Sequence, residues 1–159
     1  MSERYEPPSD FLRACIADDV TLTGSAFADA NLRRLIALTR DEDVVNRDWA
    51  VMLLAQTEID TPEVRAALLD RTSDRDGIVR AEALLGLAQR DRALALPLLL
   101  VALAQDDANV PLFETASAVA DPALLPMLMP WWDERSDPPD HIDLALEAAI
   151  IACGGSPPG

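Results

Sequence analysis

Lysine is absent: all 13 basic residues are arginine. Without a lysine amine the chain cannot form a Schiff base, and a Walker-type phosphate loop cannot be built. There is one histidine, His141, which rules out a zinc set or an acid–base pair built on imidazoles. It sits between Asp140 and Asp143 at an expected helix start and reads as a solvent-facing first-turn residue. The two cysteines, Cys15 and Cys153, stand at opposite ends of the chain, where they form neither a metal motif nor a redox pair. They read as small core residues in a reducing compartment. Aromatics make up 4% of the chain, so the core must be built from aliphatic side chains and alanine, which suits closely approaching helices. The longest apolar run, residues 93–104, contains Pro97 and is too short to span a bilayer. Residues 1–6 carry charges and no apolar stretch, which argues against a secretory leader and for the cytoplasm.

Acid is what the chain has in excess. Its 28 Asp and Glu residues give a net charge of −15. Such a field repels phosphate backbones and anionic membrane surfaces, so the expected partners include neither nucleic acid nor membrane. A protein with a basic or amphipathic segment is the partner that the charge favours. The same acidity also keeps an apolar-rich chain in solution.

The chain repeats itself. At a constant offset of 33 residues Asp41 matches Asp74, Asp43 matches Asp76, Arg47 matches Arg80, Ala50 matches Ala83 and Leu54 matches Leu87. A further step of the same length reaches Asp107, Ala116 and Ala120, with Phe113 in place of the arginine. A second helical pattern precedes each copy, as in Leu32, Leu35 and Ile36, or Val64, Ala67 and Leu68. Thr61-Pro62 and Asp121-Pro122 place a capping residue before a first-turn proline. These signals predict four helix pairs. The first helices are expected at 28–39, 62–71, 93–104 and 122–133, and the second helices at 44–57, 76–89, 109–120 and 140–153. A short helix over residues 9–17 is expected to cover the open N-terminal end, as a stack of repeats requires. The organisation is then an N-terminal segment (1–27), a repeat domain (28–153) and a flexible tail (154–159).

Segments 41–55 and 74–88 resemble HEAT repeats, especially the short bacterial kind found in phycobilisome-lyase-like proteins. The resemblance lies in the turn aspartate, the arginine six residues later and the alanine and leucine that follow. It implies an all-α solenoid in which Asp41, Arg47, Asp74 and Arg80 form a structural ladder between adjacent repeats. Phe113 departs from this pattern, and the fourth pair shows no such residues.

No residue set points to catalysis, a metal or a cofactor. Asp74-Arg75-Asp76-Gly77 looks like part of a calcium loop, but Ala83 stands where the bidentate glutamate would be. No Gly-x-Ser-x-Gly elbow occurs. If second helices line the inner curve, as they do in HEAT stacks, helix geometry puts a stripe of residues there. Asp48, Trp49, Met52 and Gln56 come from the first copy, Ala81, Glu82, Leu85 and Gln89 from the second, and Glu114, Thr115 and Ala118 from the third. Apolar anchors among carboxylates suit a basic helix or peptide. Trp131 and Trp132 are a second candidate contact, with one ring expected to pack beside Leu128 and the other to lie near Pro130; the alternative is that packing against the C-terminal helix buries both. The expected function is a non-catalytic adaptor or scaffold. Alternatives are an inhibitor or immunity-type binder of a basic protein, a lyase-like protein handling a tetrapyrrole, and self-association through an uncovered end.

Overall fold

The computed structural model describes residues 5–158. Residues 1–4, part of the charged opening read against a secretory leader, and residue 159, the end of the expected tail, lie outside it. The described residues form nine α-helices and no strand. They are α1 (Asp10–Ile16), α2 (Ala26–Leu38), α3 (Val44–Gln56), α4 (Pro62–Arg71), α5 (Gly77–Arg90), α6 (Arg92–Gln105), α7 (Val110–Val119), α8 (Leu125–Trp132) and α9 (His141–Ala152). Most starts are fixed by a short polar side chain that accepts backbone amides: Ser9, Ser25, Asp43, Thr61, Asp76, Asp91, Asn109 and Asp140. The single helix expected over 122–133 instead begins as a 3-10 turn, Pro122–Leu124, before α8. Pro126 has no N–H to offer the Pro122 carbonyl, so Leu125 takes that carbonyl one residue early. At the far end Gly154, at φ 87°, closes α9, and the Gly155 amide reaches the Ile150 carbonyl at 2.9 Å.

The helices pair as α2/α3, α4/α5, α6/α7 and α8/α9. The second members stack directly, α3 on α5, α5 on α7 and α7 on α9, whereas the first members touch one another weakly. A layer packed closely on one side and splayed on the other curves, with α3, α5, α7 and α9 on the inner side. This is an all-α solenoid, with α1 resting on α3 at its N-terminal end.

Small residues allow the close stacking. Ala50, Ala83 and Ala116, one repeat apart, are fully buried. At Gly86 an added Cβ would stand 2.8 Å from the Ala55 Cβ and 3.0 Å from Leu68 Cδ1. Helix α5 joins the two halves of the core. Its Val79, Ala83 and Leu87 pack with Leu12, Leu35, Leu54 and Leu68. Its Ala81, Leu84 and Ala88 pack with Leu99, Leu112, Leu128 and Ile150.

Between repeats runs a ladder of arginines. Arg47 on α3 donates to both oxygens of Asp74 in the next repeat, at 3.1 and 3.3 Å, and to the carbonyls of Asp41 and Glu42 in its own turn. Both side chains are buried, at 4% and 2% exposure. Arg80 on α5 repeats the arrangement, with its own-turn bond to the Asp74 carbonyl at 2.8 Å. Its carboxylate partner is Asp106, at 2.6 Å, and not Asp107, which the constant offset points to. Asp106 ends α6 and is partly enclosed, while Asp107 is exposed. Below Arg47 the ladder closes with Asn46, which bonds the Asp41 carboxylate and accepts the Ser9 amide from α1.

Gly86→Ala should cost about 1–3 kcal/mol in urea unfolding, because overpacking at the α3–α5 contact exceeds the gain in helix propensity. A neutral or stabilising substitution would mean that the two helices do not meet at that distance.

Candidate functional site

The inner layer carries three carboxylates in a row: Asp48 on α3, Glu82 on α5 and Glu114 on α7. Burial pushes the Glu82 acid up to about 7, with further help from the charges of Asp48 and Glu114, one on each neighbouring helix. Burial also raises the Asp48 acid, against a hydrogen bond from Tyr5 that lowers it. Beside this row Met52 and Leu85 are half-buried. Gln56 and Gln89, both exposed, come together at the ends of α3 and α5 around a shallow hollow shared with Arg90. The structure therefore brings Asp48, Met52, Glu82, Leu85 and Glu114 onto one layer, with the two glutamines at its edge.

Three expectations need correction. Ala81 and Thr115, expected on the stripe, are buried at 3% and 0% exposure, and the Thr115 hydroxyl is used on the Pro111 carbonyl. A constant offset misplaces them because the α5 carboxylate alone is displaced: Asp48 and Glu114 each follow their cap by five residues and Glu82 follows its cap by six, so the three are 34 and then 32 residues apart. Trp132, expected as a contact, is 7% exposed and belongs to the core with Leu128. The Arg135 guanidinium lies 3.2 Å from its ring centre, so this ring is not offered to a partner. Trp131 is half-buried and packs edge-on to Phe113, with ring centres 6.3 Å apart.

Asp48 and Trp49 have an internal partner. The N-terminal segment crosses the start of α3, where the Tyr5 hydroxyl donates to Asp48 at 2.9 Å and the Trp49 indole donates to the Tyr5 carbonyl at 3.0 Å. Arg13 holds the same segment through the carbonyls of Pro7 and Pro8. Burial and then the bond to Asp48 push the Tyr5 phenol up to about 12. Nothing periodic in the sequence marks Tyr5, because the contact spans 43 residues outside the repeat.

Arg90 also escaped the sequence reading, since Thr57 stands at its position one repeat earlier. Its guanidinium donates to the carbonyls of Leu54, Ala55, Thr57, Ile59 and Gly86. These include carbonyls left open at the end of α3, so Arg90 ties the repeats together at the end opposite the ladder.

Among the described residues no group of three or more His, Cys, Asp or Glu side chains is placed to hold a metal ion. No helix among them is long and apolar enough to cross a membrane. Comparison with known proteins agrees with the architecture. Residues 32–120 match the family described as HEAT repeats. Protein YibA of Escherichia coli K12 is 28% identical over 99 residues, covering 62% of this chain and 35% of the relative. Its counterpart in the O157:H7 strain aligns equally. The chain thus spans about a third of the length of these curated relatives. No solved structure matches it significantly.

Glu82 sets a pH dependence. Its folded-state value of about 7 lies above the ordinary 4.5, so the native chain holds a proton that the unfolded chain has already lost. The resulting stability is complete below the ordinary value and disappears as pH rises through about 7. Glu82→Gln should therefore be more stable than the wild type at pH 8 by roughly 1–2 kcal/mol, after discounting for solvent screening, and nearly equal to it at pH 4.5. Urea melts at the two pH values check this; a difference that does not change with pH would contradict it.

Proposed function

The chain belongs to the HEAT-repeat family, and from that premise we propose that it is a non-catalytic adaptor that holds a protein partner on its inner, acidic face. The observation carrying this reading is the row Asp48, Glu82 and Glu114 across three stacked helices, flanked by the half-buried Met52 and Leu85. A cation brought to Glu82 favours the carboxylate that burial, and then the charges of Asp48 and Glu114, disfavour, so a partner with arginine or lysine gains most there. Met52 and Leu85 give an apolar anchor beside those charges, which suits an amphipathic helix. Trp49 becomes available only if the partner displaces Tyr5. An adaptor and an inhibitor of a basic protein use this surface in the same way.

The test is calorimetric titration with a synthetic amphipathic helix bearing arginines, and with an acidic counterpart of equal hydrophobicity. The basic peptide should bind with a strong salt dependence, and Glu82→Arg/Glu114→Arg should weaken it by on the order of tenfold or more. Equal binding of both peptides, or unchanged affinity in the variant, would overturn the reading.

A further inference from the structure

Before α1 the chain runs across one end of the acidic row, and its two halves are held there in different ways. Pro7 and Pro8 stiffen the backbone at the base. Pro7 is buried, Arg13 donates to the Pro7 and Pro8 carbonyls at 2.7 and 2.9 Å, and the Ser9 amide donates to Asn46 at 3.0 Å. The tip is held less firmly. Tyr5 is 57% exposed, and its bonds to Asp48 and from the Trp49 indole are both open to water. Its ring centre stands 6.4 Å from that of Trp49, with the planes tilted by 30°.

Of the three carboxylates in the row, Asp48 alone accepts a hydrogen bond among the described residues; Glu82 and Glu114 are left open. The Tyr5 hydroxyl is a neutral donor, so it satisfies Asp48 without cancelling its charge. A guanidinium or ammonium group makes a stronger, charge-assisted bond to a carboxylate. While Tyr5 is in place, one Asp48 oxygen and the single N–H of the Trp49 indole are taken. The segment is thus loosely held over the row and firmly held outside it.

We propose that residues 5–8 are an autoinhibitory strap: Tyr5 occupies the Asp48–Trp49 end of the row, and a basic partner segment engages the whole row only by lifting it. This rests on the reading of the inner face given above and adds its regulation. Pro7 and Pro8 act as the pivot, so Tyr5 swings off Asp48 while Ser9 and Arg13 keep their anchors. The apparent affinity of the face is then set by the fraction of molecules whose strap is open.

The experiment compares the full chain with its Tyr5→Phe and Tyr5→Ala variants. Without ligand, nitrogen–proton NMR follows the Trp49 indole N–H, which should move in Tyr5→Ala while the Trp131 and Trp132 indoles stay in place. Calorimetry with the arginine-bearing amphipathic helix should then show binding roughly fivefold tighter for Tyr5→Ala, and roughly twofold tighter for Tyr5→Phe, which keeps the ring. A segment that only braces the stack would lower the melting temperature of Tyr5→Ala and leave its affinity equal or weaker. That result would overturn the proposal, as would an unmoved Trp49 indole. If the wild type binds the helix and neither variant binds it more tightly, the strap fails while the inner-face reading stands. If neither the wild type nor Tyr5→Ala binds it, both fail.

Discussion

The buried ion pair between Arg47 and Asp74 is the constraint on which the rest of the stack depends. Each group is almost wholly removed from water, which is costly unless every hydrogen bond is made. Arg47 meets this requirement with two bonds to the Asp74 carboxylate and two to carbonyls of its own turn. Asp74 meets it with Arg47, Arg71 and the Asp76 amide. Burial alone would raise the Asp74 acid, but the Asp76 amide, Arg47 and Arg71 outweigh it and hold the acid below its ordinary range. Sliding or rotating one repeat against the next would leave two charges buried and unmatched. The pair therefore specifies register, while the alanines and Gly86 supply the close contact.

The ends of the ladder explain the ends of the stack. Where no preceding repeat supplies an arginine, Asn46 takes over and binds the backbone of the capping helix. Where the next arginine would be, Phe113 extends the apolar core toward Trp131. The central junctions are thus ionic, and the last is aromatic. The inner face, lying away from the ladder, carries the half-buried Glu82 between Asp48 and the exposed Glu114. A fold stabilised by rungs can tolerate that repulsion, and the repulsion makes the surface responsive to a cation.

Much of the architecture was legible in the sequence because the strongest constraints recur with it. Asp41, Arg47 and Ala50 repeat as Asp74, Arg80 and Ala83 because each rung and each close helix contact needs those side chains. The Asp106 rung was not visible, since a constant offset points to Asp107, and the turn geometry alone decides between them. The surface was harder to read for a related reason: the α5 carboxylate stands one residue later than those of α3 and α7, so a constant offset leads from Asp48 to the buried Ala81 and from Glu82 to the buried Thr115. Tyr5 and Arg90 act through backbone carbonyls or single side chains dozens of residues away, contacts that no local pattern encodes.

A double-mutant cycle on Arg47→Ala and Asp74→Ala tests the central claim most directly, because it isolates this pair from the other partners of Asp74. If the pair sets the register of the stack, the double variant should be more stable than the sum of the single losses implies, by about 2 kcal/mol or more. Losses that add to within about 0.5 kcal/mol would show that the two residues act independently, and would contradict the account.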